Sequence, residues 1–107
     1  MADIELGPIA TRILYEDDQI RIWDQRLAPG EATAPHHHEL DYVLVDVDGT
    51  SVHVEPVPGH AGHVSEPTDL PVEPGKSFLV PRGSTELASN QSDTPYRSVL
   101  IEFKRER

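Results

Sequence analysis

Apolar and polar residues alternate along this chain in short runs, and none of the runs keeps a helical period. Because successive side chains of a strand point to opposite faces, such alternation predicts β-strands rather than helices. Short strands separated by Gly, Pro and Asp turns are typical of an antiparallel sandwich or barrel. We interpret as strands the runs 12–16, 20–27, 31–36, 41–46, 50–55, 76–80, 84–88 and 97–104. The chain is therefore predicted to be all-β.

Turn signals and one irregular segment separate these runs. Asp48-Gly49 lies between two strongly β-prone runs and predicts a hairpin. The segment 56–75 holds five of the ten prolines, so we expect a loop there with at most one short strand.

The last run suggests which residues fill the core. Val99, Ile101 and Phe103 share one face of the predicted strand, and we expect that face to point inward. Trp23 and Phe78 are predicted as further core residues, since large aromatic side chains are usually buried.

Length and charge limit the classes of protein to which the chain can belong. With 107 residues, the chain 1–107 is predicted to form one domain, since domains most often have roughly 100–150 residues. Its net charge of −10 disfavours binding to nucleic acids and to anionic membranes. The absence of cysteine excludes disulfides, cysteine-ligated zinc and thiol catalysis.

Residues 1–7 carry no apolar run, so no signal peptide is predicted. No stretch approaches the ~18 apolar residues that a membrane helix needs. We therefore expect a cytoplasmic protein. The interior of a small barrel is a natural cavity for one small ligand, so the expected partner is a small molecule.

The first candidate chemistry lies in three consecutive histidines. On a strand, His36 and His38 face one side and His37 faces the other. Two imidazoles on the inner face of a sheet would form half of a metal site.

Two separated blocks carry a family resemblance. The first, 30–49, contains Gly30, His36, His38, Tyr42 and Gly49; the second, 75–90, contains Gly75, Pro81, Gly83, Glu86 and Asn90. In spacing they resemble the paired motifs of the cupin superfamily. The stretches W-D-Q-R-L-A-P-G-E and H-H-H-E-L-D-Y-V-L-V are similar to small single-domain cupins labelled as beta-alanine degradation proteins, a label that names a pathway and no reaction. The resemblance implies a double-stranded β-helix, or jelly roll, and a homodimer.

The chain departs from the family's motifs at two positions. Tyr42 stands where the first motif usually has Glu, and Glu86 stands where the second usually has His. The resemblance therefore implies a reduced ligand set of His36, His38 and Glu86, with Tyr42 beside it.

If the two strands meet inside the barrel, two imidazoles and one carboxylate converge. This is the ligand set of non-haem Fe(II) oxygenases, and Mn, Ni or Zn would also fit. One carboxylate leaves positive charge on a divalent ion, which would favour an anionic or chelating substrate.

Tyr42 is the candidate catalytic residue. On an unbroken strand it shares a face with His36 and His38. We expect its ring to pack with the hydroxyl near the site, where it would orient substrate or carry a proton; ligation as phenolate stays open.

The remaining candidates are expected to lie outside the site. His37 is predicted to be solvated, His53 to lie at a surface or rim, and His60 and His63 to be exposed on the irregular loop. Arg97 is considered as an inward, anion-binding residue.

The sequence supports two main hypotheses about function. The first is a metal-dependent enzyme of the dioxygenase, isomerase or lyase class that acts on a small anionic metabolite. The alternative is a non-catalytic cupin that binds a small ligand and whose metal site is degenerate.

Overall fold

The computed structural model describes residues 5–105. Residues 1–4 and 106–107 lie outside it, and so does most of the segment 1–7 in which no signal peptide is predicted. The described residues form nine strands and no helix. They thus include no helix long and apolar enough to span a membrane. In chain order the strands are β1 (Arg12–Glu16), β2 (Ile20–Leu27), β3 (His36–His37), β4 (Tyr42–Asp48), β5 (Ser51–Pro56), β6 (Thr68–Pro71), β7 (Ser77–Val80), β8 (Thr85–Ser89) and β9 (Tyr96–Phe103).

The strands form two antiparallel sheets that enclose a cavity. The five-stranded sheet has the order β1-β2-β9-β4-β7, and the four-stranded sheet has the order β3-β8-β5-β6. Inner-face residues of both sheets line the cavity. The all-β antiparallel prediction is confirmed, and the irregular segment 56–75 carries one short strand, β6, as expected.

The predicted hairpin at Asp48-Gly49 is wrong. The chain does turn there, with Gly49 at φ 123°, where a Cβ atom would lie 3.2 Å from the Cα of Tyr96. However, β4 pairs with β7 and β9, whereas β5 pairs with β6 and β8. The dipeptide supplies the change of direction, but the chain crosses to the other sheet because both inner faces must cover the cavity.

The inner face of β9 is also the opposite of the one predicted. Its buried positions are Tyr96, Ser98, Leu100 and Glu102, while Val99, Ile101 and Phe103 are half-buried on the outer face. The prediction takes the more apolar face of the strand as the inner one. That criterion fails here because this interior contains polar side chains and the outer face carries the apolar ones.

The aromatic residues predicted for the core have different environments. Trp23 packs against the buried cluster of Ala10, Tyr42 and Leu100. Phe78 lines the cavity but remains 41% exposed, so it is not a core residue.

Arg97 points outward, contrary to the inward position considered for it. It belongs to an ion-pair cluster on the outer face of the five-stranded sheet. Its Nε lies 2.9 Å from Oδ1 of Asp24, and the Nε of Arg26 lies 2.8 Å from Oδ2 of the same carboxylate. Arg97 therefore partners a buried aspartate rather than a ligand.

Candidate metal and ligand site

The predicted ligand residues come from two neighbouring strands, β3 and β8, and from the residue after β3. His36 lies directly opposite Glu86 in the antiparallel register, so both side chains leave the sheet on the same side. His38 is held next to β8 by a 2.9 Å hydrogen bond from its backbone N–H to the carbonyl of Ser84. All three predicted ligands line the cavity, and both histidines are buried.

The donor atoms of this group lie close together. One ligand atom from each of His36, His38 and Glu86 lies within 4.8 Å of the other two. Nε2 of His38 is 3.5 Å from Oε1 of Glu86, and the Ser84 hydroxyl donates a 3.1 Å hydrogen bond to Oε2. The structure thus directs one carboxylate oxygen at an imidazole and anchors the other.

His36 has a fixed orientation and a defined tautomer. Its Nδ1 lies 2.8 Å from the carbonyl of Ala34, and because a carbonyl can only accept, Nδ1 carries the proton. Burial lowers the pKa of His36 below its ordinary value, and His38 adds to this effect. Nε2 therefore carries a free lone pair, which is how a histidine usually ligates a metal.

Glu86 is ionised despite its partial burial. Burial on its own would raise the pKa of Glu86, but the hydrogen bond and charge of His38, the hydroxyl of Ser84 and the charge of His36 bring that pKa below its ordinary value. The Glu86 carboxylate supplies negative charge to the cluster, which a cation would complement.

Tyr42 reaches the histidines from the opposite sheet. Its ring stacks on that of His38, with ring centroids 4.3 Å apart and an interplanar angle of 21°. The chain changes sheets between residues 38 and 42, so the unbroken strand that we assumed does not exist. The inward position that parity predicts is nevertheless found.

The hydroxyl of Tyr42 is a hydrogen-bond donor at neutral pH. Burial raises the pKa of Tyr42 far above its ordinary value, and the carboxylates of Glu86 and Glu102 add to this effect. Among the roles left open for Tyr42, this favours a protonated donor over a phenolate ligand.

The three predicted ligands fit a divalent cation. Bonds of about 2.1 Å place the ligand atoms of one ion roughly 3–4 Å apart. The donor atoms here lie within 4.8 Å of one another, so small side-chain movements would bring them onto one ion. In addition, Nδ1 of His38 is buried without a hydrogen-bond partner among the described residues, whereas its Nε2 faces Oε1 of Glu86. Two imidazoles and a carboxylate suit Fe, Mn, Ni or Zn.

The cluster opens into a cavity of about 180 Å³. Along the inner face of β4, Tyr42 lies beside the histidines, Leu44 follows, and Asp46 lies at the other end. The cavity therefore has polar groups at two ends and apolar side chains between them.

His37 and His53 lie on outer faces. Nδ1 of His37 is 2.6 Å from Oγ1 of Thr85. The ring nitrogens of His53 contact Asp69 Oδ1 at 2.8 Å and Glu55 Oε1 at 3.1 Å, and these contacts raise the pKa of His53. Neither residue lines the cavity.

His60 and His63 are both exposed, in agreement with their predicted position on the loop. His63 also borders the cavity, where its Nε2 donates a 2.7 Å hydrogen bond to the carbonyl of Pro81. His63 therefore lies at the rim of the cavity, whereas His53 lies on the outer surface.

The sequence interpretation missed three buried polar residues of the cavity: Gln25, Asp46 and Ser98. Each looks like an ordinary polar residue of an alternating strand. They share parity with Leu44 on β4 and Leu100 on β9, but this parity becomes a signal only once the inner face of each strand is known.

Comparisons with solved structures support the fold. A cupin domain from Bordetella pertussis Tohama I superimposes with a TM-score of 0.78 at 26% identity, covering 97% of this chain and 100% of that one. An RmlC-like cupin with a double-stranded β-helix fold from Methanocaldococcus jannaschii gives a TM-score of 0.66 at 15% identity, covering 96% of this chain and 90% of that one.

One similar structure is an enzyme by its description. The polyketide cyclase RemF from Streptomyces resistomycificus gives a TM-score of 0.58 at 18% identity, covering 83% of this chain and 57% of that one. At this identity the likeness concerns the fold alone. No family model matches the sequence, and no curated protein matches it significantly.

Proposed function

Because this chain has the fold of a small cupin, we propose that it binds one divalent metal ion through His36, His38 and Glu86. The ion would hold a small anionic metabolite in the cavity between the sheets. The observation that carries the proposal is the convergence of three donor atoms within 4.8 Å at the wall of that cavity.

The surrounding residues prepare the ligands for this role. The carbonyl of Ala34 keeps Nε2 of His36 free, and the hydroxyl of Ser84 holds Glu86 in place. Tyr42, stacked on His38, would donate a hydrogen bond to the metabolite and orient it. When bound, the ion would act as a Lewis acid or would activate O2.

The class of reaction stays open between a dioxygenase, an isomerase and a lyase. The same fold hosts many chemistries, so the fold does not choose between them. A protonated Tyr42 beside the site is compatible with proton transfer, which isomerases and lyases use, and with substrate orientation in a dioxygenase.

The experiment that tests the proposal is metal analysis of the purified protein. We expect close to one ion per chain, and we expect His36→Ala and Glu86→Gln to lower metal affinity by at least tenfold. His60→Ala is the matched control, since His60 is exposed and does not line the cavity. Substoichiometric metal that all these variants retain equally would overturn the proposal.

The alternative function is a non-catalytic cupin that binds a small ligand without metal. The observations that favour it are the two departures from the family's motifs, Tyr42 and Glu86, and the apolar middle of the cavity. Stabilisation by a metabolite that survives an excess of chelator would support this function over the first.

We further propose that two copies of the chain pair along β1. This strand is one edge of the five-stranded sheet, and its large apolar residues Ile13, Leu14 and Tyr15 are exposed. A second copy could cover both this apolar surface and the backbone groups of the edge.

A further inference from the structure

A row of polar side chains crosses the inner face of the five-stranded sheet. Gln25 of β2 and Asp46 of β4 are both register partners of Ser98 on β9. The three residues therefore lie side by side on neighbouring strands. Their exposed fractions are 5%, 3% and 1%, and all three line the cavity.

Two of these side chains have buried polar atoms that lack a good hydrogen bond. Oε1 of Gln25 and Oγ of Ser98 are buried, and neither makes a hydrogen bond of good geometry with a described residue. The hydroxyl of Tyr96 is the polar group that interacts with Ser98, and Oε1 of Gln25 is the atom left without any partner. Asp46 uses Oδ2 to accept a 3.1 Å hydrogen bond from the backbone N–H of Glu73. Unpartnered buried polar atoms are few in native proteins, because each lowers stability unless something binds it.

The row lies away from the histidines. Asp46 and Tyr42 are both inner residues of β4, and at a rise of about 3.3 Å per residue their Cα atoms are separated by roughly 13 Å. The inner positions between them are apolar, with Leu44 on β4 paired to Leu100 on β9. A ligand that spans the cavity therefore meets polar, apolar and polar surroundings in turn.

We propose that Gln25, Asp46 and Ser98 form a subsite for a hydroxyl group at the far end of the ligand. The hydroxyl would donate a hydrogen bond to Gln25 or Asp46 and accept one from Ser98. A hydroxyl suits the two neutral side chains, Gln25 and Ser98, because it can both donate and accept, whereas an ammonium group only donates and would suit the carboxylate of Asp46 instead. The ligand class is then an ω-hydroxy carboxylic acid with an apolar middle, and only its carboxylate end depends on the proposed metal site.

The test compares ω-hydroxy acids of increasing length with unsubstituted alkanoic acids of the same length, by calorimetry on the zinc-loaded protein. At the matching length, we expect the hydroxy acid to bind about tenfold more tightly, as one hydrogen bond to a buried partner allows. Ser98→Ala and Gln25→Met should each reduce this preference to less than twofold. The controls Ser77→Ala and Gln91→Met, at exposed positions, should keep it.

The outcomes separate this inference from the proposed function. Equal affinity for the two acids at every length would overturn the subsite. If the protein binds zinc in the same experiment, the proposed metal site is unaffected by that result. Failure to bind zinc, nickel, manganese and iron alike would overturn the metal site. The same comparison of acids in chelator would then test the subsite alone, and equal affinity would again overturn it. A tighter fit of the ω-amino acid of the same length would overturn the assignment to a hydroxyl.

Stability measurements distinguish a subsite from a structural role. Because Ser98→Ala and Gln25→Met remove buried atoms that lack a good hydrogen bond, we expect both variants without ligand to unfold at the temperature of the parent protein or above it. Unfolding well below that temperature would show that the row supports the fold, and would count against the subsite.

Discussion

At the scale of residues, the ring and the hydroxyl of Tyr42 have different roles in the contact with His38. The ring packs on the imidazole, while the hydroxyl carries the polar chemistry. Removal of the hydroxyl alone should therefore affect ligand binding without disturbing the metal ligands.

We expect Tyr42→Phe to bind metal within twofold of the parent protein, because the stacked ring is kept. Affinity for an anionic ligand should fall about tenfold, since one hydrogen bond is lost. Calorimetry with metal and then with ligand measures both. A large loss of metal affinity would show that the hydroxyl itself ligates.

Asp24 is the second residue whose environment has a measurable consequence. It is 0% exposed, although it lies on an outer face, because the arginine side chains around it cover it. Burial on its own would raise the pKa of Asp24, but the hydrogen bonds from Arg26 and Arg97 bring that pKa below its ordinary value. A lowered pKa in the folded state contributes stability above the unfolded pKa of about 3.9, and this contribution is lost as the pH falls further.

Asp24→Asn should lower the free energy of unfolding by about 2 kcal/mol at pH 7, because charged hydrogen bonds become neutral. The difference from the parent protein should shrink below about pH 4, because Asp24 of the unfolded parent takes up a proton there, whereas folded Asp24 does so only at lower pH. Urea unfolding at pH 7 and pH 3 measures this. The exposed Asp93→Asn is the control, and a pH-independent difference would contradict the assignment.

The alternation of His36, His37 and His38 predicted which rings face inward, because side-chain parity is a local property. The convergence with Glu86 depended on the pairing of β3 with β8, which only the resemblance suggested. Residue patterns could not reveal Gln25 or Ser98 as cavity residues, since a polar residue on an alternating strand is ordinarily solvent-facing.

At the scale of elements, β1 and β9 differ in how well a pattern predicts their environment. The bounds of β1 follow from its sequence, and both predicted and observed strands cover residues 12–16. For β9 the strand was predicted correctly but its inner face was not, because a hydrophobic face was assumed to be a buried one. Whether the apolar face of a strand such as β9 lies inside or outside depends on how the strands assemble into sheets, and the pattern of one strand does not show this.

The exposed edge strand β1 leads to a prediction about assembly. We expect the protein to be a dimer in solution, and Leu14→Lys to shift it to monomer, because a charge would be buried at the paired edge. Light scattering measures both. Leu6→Lys is the matched control at similar exposure outside β1; a monomeric parent protein would rule out the pairing.

At the scale of the whole molecule, the turn at Asp48-Gly49 shows what local signals leave undetermined. The dipeptide correctly marks the end of one strand and the approach of the next. Which strands become neighbours depends on contacts across the two sheets, and a local pattern carries no information on these. The antiparallel barrel class was predictable from the number and spacing of runs, whereas the sheet order was not.

Metal should stabilise the entire fold, because the proposed ligands belong to distant parts of the chain. At a metal concentration of 100 times Kd, binding adds about 2.7 kcal/mol to the free energy of unfolding. For a chain of this size that corresponds to a rise in Tm of roughly 10 °C, which chelator should reverse. Thermal unfolding of the parent protein and of His36→Ala, which should show no rise, checks this.

The shortness of β3 has a consequence for how the barrel opens. The strand has two residues, and His38 extends its pairing only by backbone hydrogen bonds to Ser84 and Gly83, so residues 36–38 are a short segment in which local opening would begin. A cation bound by His36, His38 and Glu86 would hold this segment against β8, and its release would free the segment again. Ligand entry and metal occupancy would then be linked through the same short segment.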